Sequence, residues 1–254
     1  MSIYKIIFSP TGGTEKVANQ FVQVFEQEIK TIDLTNSTTD FSQIELTKND
    51  ICVIAVPSFG GRVTKIAAVR LEKIKANGAK AILIAVYGNR AYDDTLLELK
   101  TILTNSKFYC IAAVAAIAEH SIMHQFAQGR PDTKDLEQIS QFAKKVRQLL
   151  GKNDIHKNLI LPGNTPYRDY KGLPIKPVAR KECTNCGLCA KKCPVQAIPM
   201  NNPSKTDGKK CISCMRCISI CPIHSRKANK FLIAIAANKM KKNCSERKQN
   251  ELYC

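Results

Sequence analysis

Cys183, Cys186, Cys189, Cys193 and Pro194 recur 28 positions later as Cys211, Cys214, Cys217, Cys221 and Pro222. Two copies of one small unit therefore follow each other. The spacing C-x2-C-x2-C-x3-C-P sets three thiolates on a tight loop, where they can cap three irons of one cubane. The fourth cysteine is carried away on the following turn and reaches the other cluster. The expected ligand sets are Cys183, Cys186, Cys189 and Cys221 for one [4Fe-4S] cluster, and Cys211, Cys214, Cys217 and Cys193 for the other, with Pro194 and Pro222 fixing the exit turns. A pair of zinc sites is the competing reading, since C-x2-C is also a zinc signature. Tetrahedral zinc, however, takes two separated pairs and no third cysteine at this spacing.

Ten of the 12 cysteines lie beyond residue 150, and thiols stay free to bind metal only in a reducing compartment. The opening residues, Met1 to Lys5, lack the basic, apolar and small-residue zones of a secretory signal, so a cytoplasmic location is expected. The apolar run around residues 110–118 is well short of the roughly 20 residues that cross a bilayer. Hydrophobic residues make up 44% and charged residues 24%, which excludes a disordered or collagen-like chain. The formal net charge of +18 is uneven: residues 1–150 hold 18 basic and 15 acidic residues, and 151–254 hold 21 and 6. Basic residues near cluster thiolates partly neutralise metal-site charge. They also suit an acidic redox partner, whereas nucleic acid is disfavoured because no recognition helix or stacking aromatics accompany them.

The segment from Cys183 to Pro222 resembles the bacterial two-cluster ferredoxins. That resemblance implies one-electron carriage at low potential through two neighbouring clusters. Ferredoxins of this kind are usually acidic, and this segment is basic.

In the first part, apolar runs at 3–8, 29–34, 51–56, 81–87 and 109–118 read as buried strands. Helical spacing separates them: Val17, Phe21, Val24 and Phe25; Ile66, Val69 and Ile74; Leu96, Leu97, Ile102 and Leu103. A last helix through Leu136, Ile139, Phe142, Val146 and Leu149 stops at Gly151. Five alternations of strand and helix predict an α/β fold, a five-stranded parallel sheet with helices on both faces and ligands at the carboxyl ends of the strands. The expected divisions are 1–151 for this domain, 152–181 for a connector rich in proline and glycine, 182–226 for the small two-cluster domain, and 227–254 for a basic tail. Within the tail, the apolar residues 231–237 suggest a helix laid on the body or on a partner.

After the first strand, Ser9, Pro10, Thr11, Gly12, Gly13 and Thr14 open the first helix, so backbone N–H groups, hydroxyls and the helix dipole can face a phosphate. There is no G-x-x-x-x-G-K-[ST] and no G-x-G-x-x-G, which argues against nucleoside triphosphates and dinucleotides and favours a mononucleotide. A plain helix cap is the alternative. The loop resembles the flavodoxin S/T-x-T-G-x-T loop that holds the FMN phosphate, and with the five-strand alternation this makes the first domain flavodoxin-like. The resemblance places the flavin ring at the loops after the third and fourth strands. There Phe59 and Tyr92 are the stacking candidates, and Gly60, Gly61, Gly88 and Asn89 the close backbone or amide contacts. For Phe59 the alternative is core packing, and for Arg62, which can pair with the flavin or an acidic partner, a solvated surface. Glu119, His120 and Ser121 lie on the same rim, where a histidine can supply a proton or serve as a structural hydrogen-bonding group. His124, His156 and His224 carry less. Cys52 and Cys110 are expected to be core thiols, and Cys244 and Cys254 are assigned no metal.

Nearly the whole chain is similar to a family in anaerobic microbes that fuses an N-terminal flavodoxin-like domain to a C-terminal two-cluster ferredoxin domain. The resemblance implies electron transfer between FMN and two [4Fe-4S] clusters, in exchange with a redox partner such as an acidic ferredoxin or flavodoxin, with a small-molecule substrate open. Two other readings compete: an iron-sulfur carrier whose flavodoxin-like domain holds no FMN, and a redox-sensing nucleic-acid binder.

Overall fold

A computed structural model describes residues 1–151 and 159–254. The first part of the expected connector and His156 lie outside the described residues. The chain runs β1 (Ile3–Ile7), α1 (Gly13–Val22), β2 (Ile29–Asp33), β3 (Ile51–Phe59), β4 (Arg62–Val63), α2 (Lys65–Glu72), β5 (Lys80–Tyr87), α3 (Thr95–Asn105), β6 (Tyr109–Ile117) and α4 (Thr133–Leu150). After the connector come β7 (Val178–Ala179), α5 (Leu188–Lys191), α6 (Arg216–Ser219), β8 (Arg226–Lys227), α7 (Lys230–Cys244) and β9 (Glu251–Tyr253).

The five strands expected from the apolar runs pair in parallel in the order β2-β1-β3-β5-β6. That is the flavodoxin-like doubly wound order, in which the reversal between β1 and β3 opens a crevice at the carboxyl ends of the strands. Both faces are covered. Along β3, Cys52, Ile54 and Val56 enter the core beneath α2 and α3, while Ile51, Val53 and Ala55 enter the one beneath α1 and α4. This period of two, apolar on both sides, is what a fully covered parallel strand requires. Helix α4 is started by a capping box, Asp132 accepting from the Asp135 N–H and Asp135 from the Asp132 N–H.

The last residues, read from sequence as a basic tail, return to the first domain. Asn229 caps α7 by accepting from the N–H groups of Phe231 and Leu232. Leu232, Ile233, Ala236, Ala237 and Met240 then pack with Ile122, Met123 and Phe126 after β6, with Ile175 of the connector and with Met215. Beyond the helix, β9 pairs antiparallel with β6, Leu252 opposite Val114, and closes that edge of the sheet. The sheet thus has a strand that the alternation did not reveal, because three residues of mixed polarity carry no periodicity. No helix among the described residues is long and apolar enough to cross a membrane.

The cysteine repeat is also a backbone repeat. Asn185 and Ser213, Gly187 and Met215, and Gln196 and His224 stand 28 residues apart in pairs, and all six have positive φ. Only one of the six is glycine, so the loop geometry around the cysteines imposes the left-handed conformation on residues that otherwise avoid it.

Candidate functional site: one cleft and two thiol-lined cavities

A cleft of about 100 Å³ opens at the carboxyl ends of β1, β3, β5 and β6. Pro10, Thr11, Gly13 and Thr14 form one end, Pro57 to Gly60 and Val86 to Gly88 the sides, and Ala118 to Ile122 the far wall. Tyr170 and Leu173 of the connector and Ser213 and Cys214 of the second cysteine loop complete the lining. At the phosphate-loop end, Ser9 is turned inward, its hydroxyl accepting from the Glu15 N–H at 2.9 Å, so it starts the helix. Gly12 has φ +92°, and a Cβ on Gly13 would stand 3.2 Å from that of Ala118. Glycine at 12 and 13 lets the chain turn sharply and lie close against β6, leaving Thr11, Gly13 and Thr14 to face the cleft beside the amino end of α1.

The residues expected around a flavin ring divide. Phe59, Gly60 and Gly88 line the cleft. The space over Gly60 is taken by the Tyr170 ring, whose nearest carbon would lie 2.2 Å from an added Cβ, and the space over Gly88 by His120, at 2.6 Å. Gly61 is occupied from outside the cleft by Asp93 and Arg168. Asn89 and Tyr92 turn away from it. Asn89 is 4% exposed, donates to the carbonyls of Cys244 and Glu246 and accepts from the Lys248 N–H. The Tyr92 hydroxyl donates to Glu251 at 2.8 Å and meets the Tyr253 hydroxyl at 2.7 Å. Both side chains anchor the returning C-terminal segment, a role invisible in sequence because their partners lie more than 150 positions away. Arg62 is likewise committed, gripping Glu98 through two hydrogen bonds and donating to the Arg168 carbonyl.

His120 accepts at Nδ1 from the N–H groups of Ile122 and Met123, each at 3.1 Å, so the neutral ring carries its proton on Nε2. Burial pushes its pKa down to about 4. It is a neutral donor at pH 7 rather than an acid titrating near neutrality. Glu119 accepts from the Gly129 N–H and from exposed His124, which holds its carboxyl below the usual range.

The eight repeat cysteines enclose two cavities. Cys183, Cys186, Cys189 and Cys221 line one, with Leu188, Pro203, Ile223 and Arg226. Cys193, Cys211, Cys214 and Cys217 line the other, with Val195, Ile198, Met215 and Arg216. Each cavity takes three cysteines from one repeat and the fourth from the other. Among the described residues no three metal-binding side chains converge closely enough for a single ion. Four thiols spread around a hollow are the donor set of a four-iron cluster, so the residues fit that group. N–H groups of Ile223, Ser225 and Arg226 point at Cys221 and, against the opposing effect of burial, lower its pKa. The first cavity reaches the surface at Cys186, whereas Cys214 in the second is 9% exposed and burial pushes its thiol up to about 12.

The two parts of the chain are locked together by arginines that carry no sequence signature. Arg70 of α2 donates to the carbonyls of Leu34 and Pro194, and Arg216 of α6 donates to that of Ser9 at 3.2 Å. Cys52 is buried in the core and Cys110 partly so; Cys244, the last residue of α7, is buried and Cys254 is exposed.

Residues 177–246 match the 4Fe-4S dicluster domain, a span wider than the 182–226 that the repeat delimits. No curated protein matches the chain. Among solved structures, the first part is similar to a flavodoxin of Streptococcus pneumonia TIGR4, at 16% identity over 58% of this chain and 99% of that one, TM-score 0.42. It is similar also to oxidised Flavodoxin 2 from Bacillus cereus, at 15% over 58% and 99%, TM-score 0.43. A third is the two-electron reduced flavodoxin of Megasphaera elsdenii, at 15% over 56% and 98%, TM-score 0.36. By its strand order and its cysteine repeat, the chain joins a flavodoxin-like α/β domain to a 4Fe-4S dicluster domain and is an electron-transfer protein.

Proposed function

We propose that this protein moves electrons between FMN held in the cleft and the two clusters held by the eight cysteines, and from there to a redox partner. One observation carries the reading: Cys214 lines both the cleft and the second thiol-lined cavity. When bound, FMN exchanges one or two electrons and each cluster passes one, so the pair converts two-electron chemistry into one-electron traffic.

The chain's own residues divide the work. Thr11, Gly13 and Thr14, at the amino end of α1, offer N–H and hydroxyl donors to the phosphate. Phe59 and Tyr170 give the ring aromatic walls and keep water from it. His120, neutral and protonated on Nε2, holds a hydrogen-bond donor at the far wall. Exposed Cys186 opens the first cavity to the surface. A second, wide cleft opens beside Phe59, Tyr170 and Cys211 and is lined by Arg62, Lys65, Lys171, Lys176, Lys209 and Lys210. Its charge supports an acidic cytoplasmic carrier as partner and leaves room for an anionic small-molecule substrate.

Anaerobic purification with iron, sulfide and flavin counts tests the proposal. About eight irons and one FMN per chain, with flavin bleaching in step with the cluster absorbance on reductive titration, is the expected result. Full iron with no flavin bound, even after incubation with FMN, replaces it with the carrier that lacks FMN.

A further inference from the structure

One side chain joins the second cysteine loop to the phosphate loop. Arg216 stands two residues after Cys214 and immediately before Cys217, and among the described residues it is the only charged one lining the cavity of those thiols. Its Nη1 donates to the Ser9 carbonyl at 3.2 Å and lies 3.5 Å from the Pro10 carbonyl, 207 and 206 positions away in sequence. Nε is buried without a partner. In the 28-residue register the matching residue is Leu188, which lines the first cavity. The ligand loop therefore accepts an apolar side chain at this position, and its own geometry does not demand the arginine at 216.

The arginine instead bears on the turn it holds. A planar trans peptide points its C=O and N–H in opposite directions. Holding the Pro10 carbonyl thus fixes the direction of the Thr11 N–H, the first amide donor after proline, and Thr11 lines the cleft. Gly12, at φ +92°, and Gly13 follow, so the turn has few constraints of its own. At the other end, Cys214 and Cys217 anchor the backbone on either side of Arg216 when they ligate a cluster. A guanidinium stays charged and offers several donors in a fixed fork, so one group can hold carbonyls and add positive charge beside thiolates. Charge there favours the reduced, more negative cluster.

We infer that Arg216 is a positioning residue that couples the two cofactor sites: from its place between two ligands of the second cluster it sets the phosphate loop for FMN, and its charge raises that cluster's reduction potential. Such coupling is reciprocal, so bound FMN favours a filled second cluster site by the factor by which the cluster favours FMN. The inference rests on the proposal that the cleft holds FMN and the second cavity a cluster.

The experiment compares wild type with Arg216→Leu, Arg216→Gln, Arg216→Lys and Arg70→Met, each prepared anaerobically with about eight irons per chain. Two quantities are read: the FMN Kd, from flavin fluorescence recovered on dilution, and the cluster midpoints of FMN-loaded protein, from an EPR-monitored titration. The second cluster's signal is identified by its selective change in Cys211→Ser. Arg216→Leu should raise the FMN Kd about ten-fold and lower the second cluster's reduction equilibrium about ten-fold, or 59 mV for one electron, moving the other cluster less. Arg216→Lys keeps the charge and should show less than half of that midpoint shift. Arg70→Met cuts the bond to the Pro194 carbonyl across the same junction, and its FMN Kd should stay within about three-fold of wild type. An unchanged FMN Kd or an unchanged midpoint in Arg216→Leu, equal shifts of both clusters, or an equal rise of Kd in Arg70→Met overturns the inference. If Arg216→Leu loses iron, Arg216→Gln, which also removes the charge, is judged by the same criteria. A wild type that binds no FMN or holds no iron refutes the proposed function itself, and is recognised before any variant is compared.

Discussion

Protonating His120 opposes the fold, and the size of the effect follows from its surroundings. In the unfolded chain the imidazole titrates near 6.5; in the fold, burial lowers this to about 4. The folded state therefore disfavours the charged ring, and the unfolded chain binds more protons between these two values. Stability from the neutral ring is complete above pH 6.5 and is lost as the pH falls toward 4. A difference of roughly 2.5 units at 1.36 kcal/mol each makes this up to about 3 kcal/mol. His120→Asn keeps an acceptor for the N–H groups of Ile122 and Met123 and removes the titration. Nitrogen-15 NMR of the imidazole should show the Nε2–H tautomer at pH 7 and a ring still neutral at pH 5.5. In denaturant titrations the wild type should lose most of those 3 kcal/mol relative to His120→Asn between pH 7 and pH 4.5. A midpoint near 6.5, an Nδ1–H tautomer, or parallel pH profiles for the two proteins would refute the reasoning.

Three further outcomes are expected. Cys221→Ala should roughly halve the iron content and remove the signal of the site that contains Cys183, Cys186 and Cys189, since each cavity borrows one thiol from the other repeat; loss of the Cys211 site instead would contradict the pairing. Asn250→Ala removes the acceptor of the Ile117 N–H and the donor to Gln138, so unfolding free energy should fall by about 1–3 kcal/mol and hydrogen exchange at Ile117 should accelerate. Lys209→Gln with Lys210→Gln should slow electron exchange with an acidic ferredoxin or flavodoxin and flatten its salt dependence without altering the cluster spectrum, because the screening length is already about 10 Å at 0.1 M salt. The same exchange rates with Lys239→Gln, Lys241→Gln and Lys242→Gln on α7 would show whether the cleft or that helix receives the partner.

Much of the architecture is local information and can be read along the chain. The cysteine spacing delimits the iron-sulfur repeat because ligand geometry is set within a single loop. The alternation of apolar runs with helical spacing leads to the doubly wound sheet because the periods of two and 3.6 decide which side chains can share a face. The phosphate loop, from Ser9 to Thr14, is legible for the same reason: strand, turn and helix start lie within a few residues. What the tertiary structure alone decides are partners distant in sequence. Asn89 and Tyr92 have the residue types and loop positions of flavin contacts, yet Cys244, Glu246, Glu251 and Tyr253 claim them once the chain end returns to the edge of β6. Tyr170, in a stretch without periodicity, becomes a wall of the cleft only because Gly60 leaves space for its ring. The contact of Cys214 with both cavities arises where segments distant in sequence meet. Hydrogen bonds and buried charges are settled by whichever group packing brings within reach, and covalent spacing does not encode that over a hundred residues.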